Sequence, residues 1–216
     1  MKLFVFEHCP FCIRAMMTAG YKKLDVELEY IQNHDVDARI EKVGANMVPI
    51  LQKDDGSYMA ESLDIVAYLD GIDESAPMAA ATKTAAIDTW KKRAHPYEGP
   101  LVHPRWMKID LPEFQCQPAK DWYTKNKSTM IGMSFEQALE NSAEYIAQMN
   151  SLLTKIDWLV LPSEKSQTLS YDDILTYPSL RNLTVIKGIE FPERVRQYID
   201  EVTAITQIPL YDDVAV

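Results

Sequence analysis

The most constraining feature of this chain is its opening. Lys2-Leu3-Phe4-Val5-Phe6 is an apolar, aromatic run of buried-strand type, and Cys9-Pro10-Phe11-Cys12 comes shortly after it. Ile13, Ala15, Met16, Met17 and Ala19 then favour a helix, and Gly20 is placed to stop it. The paired cysteines therefore fall at a strand-to-helix turn, with Pro10 in the first helical turn, where a missing N–H costs least. A thiol at a helix N-terminus faces unpaired N–H groups and the positive end of the dipole, and both favour the thiolate. An ordinary cysteine, with a pKa of about 8.5, is only roughly 3% ionised at neutral pH, so a drop of a few units makes it the dominant nucleophile. Cys9 is expected to be the exposed, acidic thiol. Cys12, one turn on, is expected to be more buried and within reach of its sulfur, a spacing suited to a reversible disulfide.

A zinc site would need four ligands. The only further cysteine is Cys116, read as an incidental thiol, and the four histidines lack ligand spacing, so no metal is expected. The chain has 216 residues, 47% of them hydrophobic, and a formal net charge of −10 without a basic stretch. That balance argues against nucleic acid and anionic membrane surfaces as partners. No run of 18 apolar residues and no signal-peptide pattern is present, which points to the cytoplasm, where a purely structural disulfide would be reduced.

Val26, Leu28 and Tyr30 alternate with Glu27 and Glu29, predicting a half-buried strand and completing a βαβ unit. Asn33 or Asp35 can cap a short helix closed by Gly44. Val48-Pro49 opens the next strand, with a cis bond possible, and Asp55-Gly56 turns it into a hairpin returning through Tyr58-Met59. Glu61-Ser62 leads into a helix ending at Gly71, with Ser62 as its cap.

This order resembles the thioredoxin fold, and within it the glutaredoxins. Residues 9 to 12 match the glutaredoxin form C-P-[YF]-C, Val48-Pro49 matches the cis-proline loop, and Glu61-Ser62 matches the pair that holds the γ-glutamyl end of glutathione in glutathione transferases. The resemblance implies catalysis by Cys9 and Cys12. It also implies a glutathione site lined by Pro10, Phe11, Val48, Pro49, Glu61 and Ser62. Val48 would pair with the cysteinyl backbone like an added strand. Glu61 would accept from the ammonium, and Ser62 with its helix N-terminus would bind the γ-glutamyl carboxylate. The group for the glycine carboxylate is not readable, with Lys22, Lys23, Arg39 and Lys42 as candidates. His8 is expected to be a partly exposed neighbour of Cys9.

Residues 1–72 are thus expected to form a thioredoxin-like α/β domain, 73–83 a linker and 84–216 an all-α domain. In the second half Ile87, Trp90, Ala94 and Tyr97 mark a helical face, while Pro96, Pro100, Pro104 and Pro112 are expected to break or kink the chain beyond it. Asp121 to Lys127 reads as a short helix or turn. One helix is expected from Ser134 through Ile156, with Ser134 and Gln137 as a capping box. Ser170 and Asp173 resemble the buried cap of the transferase helical domain, a folding element. A last helix begins with Pro192 in its first turn. The four tryptophans are expected in the core or between domains.

The whole resembles the long, transferase-shaped bacterial glutaredoxins, the glutaredoxin 2 type. The resemblance implies a monomeric, glutathione-dependent oxidoreductase acting on glutathionylated and disulfide-bearing proteins. Two rivals stand beside it. One is a Cys-type transferase of the omega kind with dehydroascorbate reductase activity, disfavoured by Cys12. The other is a non-catalytic, transferase-shaped binding protein, disfavoured by the thiol pair.

Overall fold

The structure, a computed structural model, describes residues 1–73 and 75–216; Glu74, within the expected linker, lies outside the described residues. The first half runs β1 (Lys2–Val5), α1 (Pro10–Tyr21), β2 (Glu27–Tyr30), α2 (Val36–Val43), β3 (Ile50–Gln52), β4 (Tyr58–Met59) and α3 (Ser62–Asp70). The sheet order is β2-β1-β3-β4, with β1 and β2 parallel and the other pairs antiparallel.

Alternation along β1 decides the layering, because successive side chains leave a strand on opposite faces. Leu3 and Val5 join Ile13, Met17, Ile65 and Leu69 in the core under α1 and α3. Phe4 and Phe6 join Ile31 and Ile50 on the other face, with Ala38 and Val43 of α2 against them. β2 is less covered than its alternation suggested. It is an edge strand, and Leu28 stays 37% exposed. Asp35 caps α2 through the Ala38 N–H (3.0 Å), and Gly44 closes it at a φ of 72°.

Two local expectations fail for reasons of packing. Gly20 does not stop α1 but lies within it, and a Cβ there would sit 2.1 Å from the Thr206 carbonyl oxygen. It is the point where α1 meets the last helix. Gly20→Ala is therefore expected to cost roughly 1–3 kcal/mol through forced separation of two backbones, measurable by urea unfolding. Nor is Ser62 the cap of α3. Glu61 takes that position at a φ of 67°, and Ser62 is the first helical residue.

The second half is helical: α4 (Thr84–Trp106), α5 (Gln117–Ile131), α6 (Phe135–Glu140), α7 (Ser142–Leu153), α8 (Tyr171–Leu183) and α9 (Glu193–Thr206). α4 continues through Pro96, Pro100 and Pro104. Four-residue spacing stacks the missing bonds: the carbonyls left free belong to Lys92, Pro96 and Pro100, one stripe of the helix, so the ladder elsewhere holds. Pro112 does break the chain, in a 3-10 turn over Pro112–Phe114. The helix expected from Ser134 is split at Asn141 into α6 and α7. The Ser134–Gln137 capping box forms, with bonds of 3.2 and 3.0 Å. α5 is much longer than the turn expected there, and Pro192 precedes α9 as its cap. Trp90 and Trp106 are buried, whereas Trp122 is exposed and Trp158 half-buried.

Asp173 anchors the start of α8. Its carboxylate accepts from the Ser170 N–H (2.7 Å), the Ser170 hydroxyl (3.0 Å) and the Tyr198 hydroxyl (3.0 Å), and it pairs with Lys165. α1 packs against α3, α8 and α9, so the helix that carries the cysteines is also the seam between the two halves.

Candidate active site

The cysteine pair is positioned by the end of β1. The chain leaves the strand, turns through Glu7 and His8, and enters α1 with Cys9 as N-cap (φ −74°, ψ 119°) and Pro10 in the first turn. The Cys9 N–H donates to the Phe6 carbonyl (3.3 Å), and the Cys9 carbonyl accepts from Ile13 (3.0 Å). Both cysteines are free thiols; Cys9 is half-buried and Cys12 fully buried.

Their environments push them apart in acidity. The Cys12 thiol donates to the Cys9 sulfur, and this hydrogen bond, helped by the nearby His8 charge and by the Cys12 and Phe11 amides, outweighs burial and brings Cys9 down to about 6. Cys9 is then roughly nine-tenths ionised at pH 7. Burial, with the Cys9 hydrogen bond and charge, drives Cys12 well up, although its sulfur accepts from the Phe6 N–H (3.4 Å). At neutral pH the Cys9 sulfur is therefore the thiolate and Cys12 keeps its proton.

The Val48–Pro49 bond is cis. Val48 and Cys9 both pack on the cluster of Phe4, Phe6, Ile31 and Ile50, which brings the proline loop to the thiol. Arg14 links the thiol to α3. Its Nη1 donates to the Ser62 hydroxyl (3.2 Å) and its guanidinium lies 4.9 Å from the centre of the half-exposed Phe11 ring. Burial lowers the Arg14 pKa while the Cys9 charge opposes this, as it does at Lys127 of α5. The structure thus gathers Cys9, Pro10, Phe11, Cys12, Val48, Pro49 and Ser62 at one end of α1, with Glu61 exposed beside Ser62.

Of the candidates for the glycine carboxylate, Lys22 and Lys23 lie far from the thiol, while Arg39 and Lys42 lie over the Phe6 and Phe4 rings. Lys22 pairs with Asp70 (3.1 Å) and Asp73 (3.4 Å) at the far end of α1, about 18 Å along a 12-residue helix. Lys23 follows it beyond the end of the helix. Arg39 is buried and spends its donors on Asn46 (2.8 Å) and on the Asn33 carbonyl (3.2 Å). Lys42 lies over the Phe4 ring at 4.7 Å. A cavity of ≈ 360 Å³ in the helical half, lined by Trp90, Arg93, Lys155 and Trp158 among others, includes none of the candidate site residues.

His8 differs most from expectation. It is buried, not partly exposed. Its N–H and its Nδ1 both meet Glu113 Oε1, at 3.1 and 2.5 Å, and its carbonyl accepts from Asn182 Nδ2 (2.8 Å). Its ring packs among Phe6, Trp106, Phe114 and Tyr123. Burial pushes the Glu113 carboxyl up, but the hydrogen bonds and charge of His8 outweigh this and hold it below its usual range. Arg181 donates to the Glu7 carbonyl (2.9 Å). Arg14, Glu113, Arg181 and Asn182 were not singled out from sequence. No local signal marks them: even Arg181 stands in a mixed segment with Asn182 and Thr184, which is continuously buried only in the fold.

Comparison with known proteins agrees with this geometry. Residues 86–215 match the family model described as glutaredoxin 2, C-terminal domain, and residues 3–77 match that of the glutathione S-transferase N-terminal domain. Glutaredoxin 2 of Escherichia coli strain K12 is 37% identical over 217 residues, covering 100% of both chains. The 1.2 Å crystal structure of glutaredoxin 2 from Salmonella typhimurium in complex with glutathione superposes with a TM-score of 0.92 at 38% identity, covering 100% of this chain and 98% of that one. A glutathione S-transferase from Rhodospirillum rubrum F11, 16% identical with a TM-score of 0.59 over 94% of this chain and 86% of that one, shares the fold alone.

Proposed function

The chain belongs to the glutaredoxin 2 family, and on that premise we propose that Cys9 is its nucleophile, Cys12 its resolving thiol, and the cleft from Val48 to Ser62 its glutathione site. The activity is that of a glutathione-dependent thiol–disulfide oxidoreductase, with glutathione as reductant. The observation that carries the assignment is the half-buried thiol at the start of α1, lowered to about 6, beside Val48 and joined through Arg14 to Ser62. The Salmonella relative, solved with glutathione, supports it.

In the first step the Cys9 thiolate attacks the glutathione sulfur of a mixed disulfide. A Cys9–glutathione bond forms, the old S–S bond breaks, and the substrate leaves as a thiolate that takes a proton from water. A second glutathione thiolate then attacks the sulfur carried on Cys9. Oxidised glutathione departs and the Cys9 thiolate is regenerated. With a protein disulfide, Cys9 bonds to the protein instead and Cys12 resolves that bond, leaving a Cys9–Cys12 disulfide for two glutathiones to reduce. The acidities fit this order. Part of what raises Cys12 is the negative charge on Cys9, and that charge disappears once Cys9 enters a mixed disulfide. The resolving thiol therefore ionises more readily when it is needed.

The backbone of Val48 is placed to pair with the cysteinyl residue of glutathione, Pro10, Phe11 and Pro49 line its path, and Ser62 with the α3 N-terminus and Glu61 receive the γ-glutamyl end. Ser62→Ala is expected to raise the KM for glutathione roughly ten- to a hundredfold with little change in kcat, the loss of one hydrogen bond to a charged group. Steady-state rates against glutathione concentration check this. An unchanged KM would remove Ser62 from the site.

We divide the chain into a domain over 1–72, a linker over 73–83 and a helical domain over 84–216, supported by the end of α3 at Asp70 and the start of α4 at Thr84. Glutathionylated or disulfide-bearing proteins are the partners we infer, with the chain acting as a monomer in the cytoplasm. Among the described residues no helix is long and apolar enough to cross a membrane. The net charge of −10 supports a partner set without nucleic acid.

A further inference from the structure

The residue before Cys9 is held by the other half of the molecule. Glu113 is fully buried, takes both the N–H and the Nδ1 of His8 on one carboxylate oxygen, and leaves Oε2 buried without a partner. Its own position is fixed from the first half: the Asn33 N–H donates to the Glu113 carbonyl (3.0 Å), and Gln32 Nε2 donates to the Pro112 carbonyl (2.8 Å). A buried carboxylate with one oxygen unsatisfied is costly unless a positive or donor group faces it, and the imidazole ring of His8 is the group against it. The ring is boxed by Phe6, Trp106, Phe114 and Tyr123, three of them from the helical half, so it cannot turn away.

We propose that Glu113 is a positioning residue for Cys9: by its double hold on His8 it keeps the imidazole ring beside the Cys9 sulfur and makes the reactivity of that sulfur depend on docking of the helical domain. This rests on the reading of Cys9 as the nucleophile. The device spans the two halves, because the carboxylate belongs to the turn before α5 and the histidine to the turn before α1. The other charged or titratable groups about the two sites are Glu7, Cys12, Arg14 and Tyr30 from the first half, and His103, Tyr123, Lys127, Arg181 and Tyr211 from the second. None of these is altered in the test.

The test is the alkylation rate of Cys9 with iodoacetamide against pH in the wild type, Glu113→Gln and Asn182→Ala. Gln keeps the shape and an acceptor but removes the charge. The midpoint is expected to rise by roughly half to one pH unit, which lowers the rate at pH 6 about two- to fivefold. Asn182→Ala removes the bond to the His8 carbonyl and loosens the same loop without touching the charge, so its midpoint should stay with the wild type. An unmoved Glu113→Gln midpoint overturns the proposal, as does an equal shift in both variants, which would make loop looseness the cause. A wild-type midpoint near 8.5 would instead defeat the reading of Cys9 itself. Should Glu113→Gln fail to fold, the His8 ring nitrogens of wild-type protein are followed by NMR across pH, with Cys9 free and alkylated. Coupling is reciprocal, so the ring-nitrogen shifts at a given pH should differ between the free and the alkylated protein. No change would overturn the proposal.

Discussion

Cys9→Ser is expected to lose glutathione-dependent reduction of a small mixed disulfide by roughly a thousandfold or more, to the uncatalysed background. A hydroxyl in that position does not ionise near neutral pH, and the surroundings that bring the thiol down to about 6 cannot make an alkoxide. Cys12→Ser should behave differently. The serine hydroxyl can still donate to the Cys9 sulfur, so the acidity of Cys9 largely survives and deglutathionylation stays within a few-fold of wild type. Reduction of protein disulfides, which needs a second sulfur, should disappear. The pH dependence follows in sign. With Cys9 as the proposed reacting thiolate, the rate is expected to rise with pH through about 6 and to fall as the sulfur is protonated below it. Equal residual activity in the two serine variants, in a coupled assay with both substrate types, would contradict the division of roles.

Arg181→Met is expected to destabilise the fold by about 3–5 kcal/mol, the range for removing one member of a buried, hydrogen-bonded charge cluster. The guanidinium is fully buried. It donates to the carbonyls of Glu7 (2.9 Å) and Pro209 (3.0 Å) and to the Tyr211 hydroxyl (2.6 Å), and lies 3.9 Å from the centre of the Tyr211 ring. Methionine fills much of the volume but leaves these acceptors without partners, and the Glu7 carboxylate, already raised by burial, loses the charge 3.6 Å away. For a chain of this size such a loss lowers Tm by roughly 6–20 °C. Calorimetry or urea unfolding checks it; a change below about 1 kcal/mol would show that the cluster is dispensable.

The parts of the site legible in the sequence are those whose chemistry is local. A strand, two cysteines one turn apart, a proline in the first turn and a run of helix formers specify the thiol environment within about twenty residues. Val48-Pro49 and Glu61-Ser62 are weaker marks and gained meaning from their order after the thiol pair. The rest depends on contacts that no short window contains. Glu113 lies 105 residues from His8, and Asn182 lies 174 residues away. Each is an ordinary polar residue until the fold brings it to the loop. Gly20 reads as a helix stop because its tight approach to Thr206 is invisible until α9 is in place. The prolines of α4 read as breaks because each alone removes a ladder bond, and only their four-residue spacing confines the losses to one stripe of the helix. Ser62 reads as a cap because serine prefers that position, yet Glu61 occupies it and the Ser62 hydroxyl turns to Arg14.

The central claim is that the amino end of α1 carries an ionised sulfur at neutral pH. The alkylation rate of Cys9 in reduced wild-type protein, followed from pH 4 to 10 with the modified residue identified by mass, measures this directly. A single midpoint near 6 at Cys9, with Cys12 unmodified throughout the neutral range, is the predicted result. A midpoint near 8.5, or modification of Cys12 ahead of Cys9, would contradict the account.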